Sequence, residues 1–189
     1  MDVEEDVVNV AIDRVVKNEL KNNIEILLID KSNLPFEDNY FDIVFSKDSF
    51  VHIPDKEKIF TQVFKVLKPG GFFVFSDWLI SHDQKPSKEM EYYLKLEDLG
   101  FGMGSPLLYL SALKKSGFVS IKKNNRNKWY KEEARKELQI LSGSARKSYE
   151  EITSNNFIED QIKTWKAMIR VLDTGEHCPH HFRAQKPEN

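Results

Sequence analysis

IEILLID (24–30), FDIVFSKD (41–48), DKEKIFTQVFKVL (55–67) and KPGGFFVFSDW (68–78) decide the fold of this chain. The first is a short, continuous run rich in β-branched residues, the pattern of a strand covered on both faces. Phe41 to Phe45 predicts a second strand and Phe72 to Phe75 a third. Between the last two, Ile59, Val63, Phe64 and Leu67 recur at helical spacing, and Lys68-Pro69-Gly70-Gly71 reads as the stop of that helix and the turn into the strand. Strand, helix, strand at this spacing predicts right-handed βαβ units and a parallel sheet. In such an open sheet, ligands sit outside the carboxyl ends of the strands. The runs stop at Asp30, at Ser46-Lys47-Asp48 and at Ser76-Asp77, which predicts one shared crevice.

Working outward, residues 4–17 place Val7, Val8, Ala11 and Val15 at helical spacing, with acids in the first turn and Lys17 near the end, an order that complements the helix dipole. Leu34-Pro35-Phe36 followed by Glu37-Asp38-Asn39 reads as a loop. A helix is expected over 87–99 and another from Ser105-Pro106 to Ser116-Gly117, with proline at its favoured first position. Phe118 to Ile121 predicts a strand, Tyr130–Leu141 and Ile158–Leu172 carry helical periodicity, and His181 to Gln185 predicts a closing edge strand.

The 189 residues suit a single domain, 1–189, with a sizeable core. A net charge of -2 from 28 basic and 30 acidic residues, interleaved along the chain, gives no support for a nucleic-acid or acidic-membrane surface. The single Cys178 excludes an intrachain disulfide and suits a reducing, cytoplasmic setting. No apolar run approaches the length of a spanning helix, and the acidic start lacks the order of a signal peptide.

Leu34-Pro35-Phe36 with Phe41-Asp42, then Leu67-Lys68-Pro69-Gly70-Gly71 before a strand ending at Asp77, resembles the class I S-adenosylmethionine-dependent methyltransferases. The resemblance covers residues 2–77 well and 105–121 loosely. It implies an α/β, Rossmann-like, mostly parallel sheet with flanking helices and an antiparallel last strand. The family's first strand and its Gly-x-Gly loop have no counterpart in this sequence, so the expectation is a methyltransferase sheet without them. The implied cofactor is S-adenosylmethionine. Met1-Asp2-Val3 stands where the family's second strand ends, which assigns Asp2 to the ribose hydroxyls with Val3 beside it. Asp30 takes the adenine side with Lys31, and Ser46 and Lys47 lie near the methionine part.

SKDSFVHI (46–53) is more narrowly similar to phosphoethanolamine and glycine or sarcosine N-methyltransferases, which carry an acid and a histidine four residues apart; Asp48 and His52 stand there. A helical turn after the strand would bring both to one face. An imidazole can take a proton from an ammonium substrate, freeing the lone pair that attacks a methyl group, while a carboxylate holds the amine. The family's phosphate-holding arginine and tyrosine fall near Leu99 and Phe101, an apolar pair that cannot neutralise a phosphate. A smaller or differently charged amine is therefore expected as acceptor at least as much as phosphoethanolamine itself.

Asp77 and Trp78 are the expected substrate-side residues. A methylated ammonium is attracted to an aromatic face by about 0.5–2 kcal/mol, and Trp78 stands at the mouth of the crevice. Lys68-Pro69-Gly70-Gly71 lacks the spacing and the Lys-Ser or Lys-Thr ending of a phosphate loop. His177-Cys178-Pro179-His180-His181 holds zinc-ligand residue types, but in one cluster without a second segment, so a turn into the last strand is expected and no metal. The expected function is methyl transfer to a small-molecule amine, with the helical segments 87–116 and 122–173 as a lid. Two alternatives remain: an oxygen or carbon acceptor, which His52 serves equally well, and a non-catalytic module that keeps part of the fold. Neither a nucleic acid nor a membrane is an expected partner.

Overall fold

The computed structural model describes residues 1–30, 33–143 and 146–188. Its centre is the predicted βαβ unit. Strand β1 (Phe41–Lys47) and strand β2 (Leu67–Asp77) pair in parallel and are joined by helix α2 (Lys56–Val66), whose N-cap Asp55 accepts from the Lys58 amide at 2.9 Å. Strand β4 (His180–Gln185) lies antiparallel to β2, and strand β3 (Val119–Asn125) lies antiparallel to β4, giving the order β1-β2-β4-β3. The expected mostly parallel sheet is thus a mixed one among the described residues. The predicted closing strand forms, but in the interior of the sheet and not at its edge.

Alternation along β2 sorts its residues between two faces. Phe73, Phe75 and Asp77 point to the core with Phe182 and His180 of β4. Helix α2 and helix α4 (Pro106–Lys115) cover that face, and Phe50, Phe60, Phe73, Phe75, Tyr109 and Phe182 form one aromatic cluster there. Such ring pairs add about 0.5–1.5 kcal/mol each beyond area burial. The opposite face is open on β1, where Ile43 and Phe45 are 60% and 69% exposed.

Beyond β2, helix α3 (Lys88–Glu97), helix α5 (Asn127–Ser142) and helix α7 (Asn155–Thr174) build a second core around Met90, Tyr93, Ala134, Met168 and Leu172. The short helix α6 (Arg146–Ile152) lies between α5 and α7 in sequence. Ser87, Ser105 and Ser154 cap α3, α4 and α7, each accepting an amide through its hydroxyl. Helix α1 (Glu5–Lys17) forms as predicted, but Val8 is its only buried residue and Val7 lies on the exposed side.

Two further expectations need correcting. Residues 24–29 form no full strand: a single parallel bridge joins Asp2 to Leu28, with the Asp2 amide on the Leu27 carbonyl at 3.1 Å and the Ile29 amide on the Asp2 carbonyl at 2.9 Å. Leu28 is 52% exposed, so the apolar run is not covered on both faces. Second, Lys68-Pro69-Gly70-Gly71 belongs to β2 instead of closing α2. It forms a bulge, with the register passing from Phe41↔Leu67 to Ile43↔Phe72 and Gly70 at φ +78°. The helix is stopped one residue earlier, by the extended backbone of Leu67.

Candidate functional site

The carboxyl ends of β1 and β2 lie side by side, and Asp48 is the first residue beyond β1. Its amide donates to the Ser76 carbonyl at 2.9 Å, and the Ser76 hydroxyl donates to Asp48 Oδ1 at 3.0 Å. Asp48 holds φ +54°, a left-handed conformation that aspartate tolerates better than most side chains. The chain therefore turns sharply off the strand with its carboxylate fixed against β2. Ser46 is half-buried opposite Phe75, and Lys47 is exposed opposite Ser76.

His52 ends a three-residue 3₁₀ turn, Phe50–His52. The helical turn expected from Asp48 to His52 does not form, because the left-handed Asp48 breaks it at the start and Pro54 follows closely. The two side chains have different partners: Asp48 bonds Ser76, while His52 Nδ1 lies 3.1 Å from the Leu99 carbonyl. A carbonyl only accepts, so this contact puts the proton on Nδ1 and the lone pair on Nε2. The exposed His52 ring lies 5.3 Å from Phe101, Phe101 lies 5.7 Å from Trp78, and Trp78 lies 5.5 Å from His177. Half-buried Trp78 thus stands in a wall of rings leading away from His52.

Asp77 is not at the surface of this crevice. It shares the core-facing side of β2 with Phe73 and Phe75 and is 0% exposed. Val51 donates its amide to Oδ1 at 3.1 Å, and the Tyr109 hydroxyl donates to Oδ2 at 2.5 Å. Burial pushes its carboxyl up to about 6, against the hydrogen bonds of Tyr109, Trp78 and Val51 and the nearby Lys56 ammonium. The expected substrate contact is replaced by an internal anchor, as strand alternation requires. Lys56 and Tyr109 complete this anchor, and neither is among the residues the sequence singles out. A signal existed for Lys56: a lysine opens α2, the helix end where a cation is disfavoured. Burial lowers its ammonium to about 8, opposed by Asp77.

Outside the four-stranded sheet, the bridge between Asp2 and Leu28 brings Asp2 and Asp30 onto neighbouring segments. Asp2 Oδ1 accepts the amides of Val3 at 2.7 Å and Glu4 at 3.1 Å. This orients the carboxylate at the start of α1. Val3 is half-buried beside it, and Asp30 is exposed just past the bridge. Lys31 lies outside the described residues. Two carboxylates on segments joined by this bridge are acceptors of the kind that the hydroxyl and amino donors of a nucleoside need, so the residue types present fit the adenosine part of S-adenosylmethionine.

Tyr130, Arg126 and His181 also gather near Asp48, a set the sequence reading passed over because it comes from α5 and β4, distant in sequence. His181 lies opposite Ser76 in the sheet. Burial raises the Tyr130 hydroxyl, with Asp48 adding to the shift; burial and Arg126 lower the His181 imidazolium, with Asp48 opposing. In the His177–His181 segment, His177 Nδ1 lies 3.1 Å from the Leu79 carbonyl and His180 Nδ1 lies 2.6 Å from the Cys178 carbonyl. Among the described residues no group of three or more His, Cys, Asp or Glu side chains could hold a metal ion.

A methyltransferase-domain family model matches residues 1–75. Phosphoethanolamine N-methyltransferase 1 of Arabidopsis thaliana is 27% identical over 186 residues, covering 98% of this chain and 37% of the plant protein. Sarcosine/dimethylglycine N-methyltransferase of Halorhodospira halochloris is 35% identical over 98 residues, or 52% of this chain and 34% of that protein. Phosphoethanolamine N-methyltransferase 2 of Haemonchus contortus, solved with phosphomonomethylethanolamine and S-adenosylhomocysteine, superposes with a TM-score of 0.90 at 26% identity. That match covers 98% of this chain and 43% of the solved one, so this chain spans about two-fifths of the length of such relatives. By its matched domain over residues 1–75 and by its fold, the chain is similar to the class I S-adenosylmethionine-dependent methyltransferases.

Proposed function

We propose that this chain carries the acceptor side of a methyl transfer from S-adenosylmethionine to a small-molecule amine. The observation that carries the reading is His52, with Nδ1 held on the Leu99 carbonyl and its ring exposed beside Phe101, at the strand ends where Ser76 fixes Asp48. Asp2 and Asp30 would hold the adenosine, with Val3, Lys31, Ser46 and Lys47 around it, and the bound cofactor would supply a methyl group already activated on a sulfonium. Asp48 anchors the acceptor ammonium. His52 Nε2 takes one proton from it, which leaves the nitrogen lone pair free for the in-line attack; alignment then does most of the remaining work. Trp78 and Phe101 supply the wall on which the alkylated nitrogen rests. Helices α3, α5 and α7, over that wall, act as the lid that selects the acceptor.

A carbon acceptor is the second reading. Sterol 24-C-methyltransferase of Schizosaccharomyces pombe is 35% identical over 107 residues, covering 54% of this chain and 28% of that protein. Among the described residues no helix is long and apolar enough to cross a membrane. Incubation of the chain with methyl-labelled S-adenosylmethionine and a panel of primary and secondary amines, alcohols and sterols tests both. Label on nitrogen supports the proposal. Label on oxygen or carbon alone overturns the amine assignment.

A further inference from the structure

The turn that carries His52 is gripped by a buried cation. Lys56 is 2% exposed, and its ammonium donates to the carbonyls of Phe50 at 2.7 Å, of Gly102 at 2.8 Å and of Ile53. All three N–H bonds therefore end on backbone oxygens. Two of these oxygens belong to the turn that holds His52; the third belongs to the loop that holds Phe101. The same two segments are sewn together again by the Gly102 amide on the Val51 carbonyl at 2.6 Å and by His52 on Leu99. From below, Asp77 takes the Val51 amide.

This arrangement is poor value for stability alone. A buried ammonium is costly even when hydrogen-bonded, and apolar replacement of buried ions is often neutral or stabilising. Lys56 is also the first residue of α2, where the helix dipole opposes a positive charge. What a lysine offers here and an apolar side chain does not is one atom that fixes three carbonyls from two segments. A catalytic group must be held to within a fraction of an ångström, and a shift of 1 Å can reduce turnover by about a hundredfold.

We infer that Lys56 is a positioning residue, whose ammonium locks the His52 turn to the Phe101 loop so that imidazole and aromatic wall keep one arrangement. The inference rests on the functional reading above. It predicts separate effects on acceptor chemistry and on cofactor affinity, because the three carbonyls that Lys56 holds belong to the His52 turn and the Phe101 loop.

The test compares the 189-residue chain with Lys56→Met and with Lys56→Gln, a neutral side chain of fewer donors that serves if Lys56→Met does not fold. Amide hydrogen exchange is read at Val51, Ile53 and Gly102, S-adenosylhomocysteine affinity by calorimetry, and kcat and KM for the amine across a pH series. The expected result is exchange faster by at least about tenfold at those amides. With it, kcat falls by at least about tenfold at every pH, while cofactor affinity stays within about threefold. Unchanged exchange overturns the inference, and so does faster exchange with unchanged kcat. A parallel fall in cofactor affinity would mean general loosening and would also overturn it. If the unsubstituted chain neither binds the cofactor nor turns over, the functional reading fails, while the exchange data still decide whether Lys56 holds the turn.

Discussion

Asp77 and Lys56 grip the same three-residue turn from opposite charges: the carboxylate takes the Val51 amide at 3.1 Å, and the ammonium gives to the Phe50 carbonyl at 2.7 Å. Both are buried, and their ionisations are displaced in ways that make stability depend on pH. Asp77 titrates near 6 in the fold against 3.8 in the unfolded chain. Between those values the native state binds more protons, so Asp77 lowers stability as pH rises from about 4 to 6. The size is on the order of 3 kcal/mol, at about 1.4 kcal/mol per unit. Denaturant unfolding of the chain and of Asp77→Asn should show the variant gaining on its parent as pH rises through this window. A difference that stays flat would contradict the buried, raised carboxyl.

Lys56 acts at the other end of the range. Its ammonium titrates near 8 in the fold against 10.5 unfolded, so the native state releases its proton first and stability from this group rises with pH between about 8 and 10.5. Unfolding midpoints for the chain and Lys56→Met should therefore diverge above pH 8 in favour of the chain. Parallel midpoints would count against burial of the charge.

Gly71 is fixed by space. A Cβ there would meet the Lys68 carbonyl oxygen at 2.8 Å and the Asp42 carbonyl oxygen at 3.0 Å, both backbone atoms that cannot swing away. Gly71→Ala should lower unfolding free energy by about 1–3 kcal/mol, in the range of overpacking. Equal stability by urea denaturation would mean that the bulge yields, and that the Phe41↔Leu67 register is not rigid.

His52→Ala should lower kcat by about 10²–10⁴, the usual contribution of a positioned general base, with cofactor affinity unchanged. Single-turnover kinetics together with calorimetry separate the two. Equal turnover would remove His52 from the chemistry.

Much of the fold was legible because its signals are local. Ser105-Pro106, the α2 periodicity and the FDIVF run each act within one element, and each appears in the structure within a few residues. The misses share a cause: they depend on what lies across space. Whether residues 24–29 extend into a full strand depends on neighbours on both sides, and Asp2 alone bridges to Leu28. Whether the last strand is an edge depends on β3, which the sequence places far before it. The site divides in the same way. Asp48 and the aromatic wall of Trp78 stand at strand ends as read, but the side on which Asp77 falls is set by β-alternation against the core. That phase was readable from Phe73 and Phe75, four and two residues before it. Lys56 carried the one signal of a lysine at a helix start, while Tyr109, Arg126 and His181 reach their partners only through tertiary packing, which no spacing announces.

Calorimetric titration of the folded 189-residue chain with S-adenosylhomocysteine asks whether these residues hold the cofactor. One site per chain at about micromolar strength is expected, weakened at least about tenfold by Asp30→Ala and unaffected by His52→Ala. A chain that is folded by circular dichroism yet gives neither heat nor a thermal shift with this ligand would contradict it.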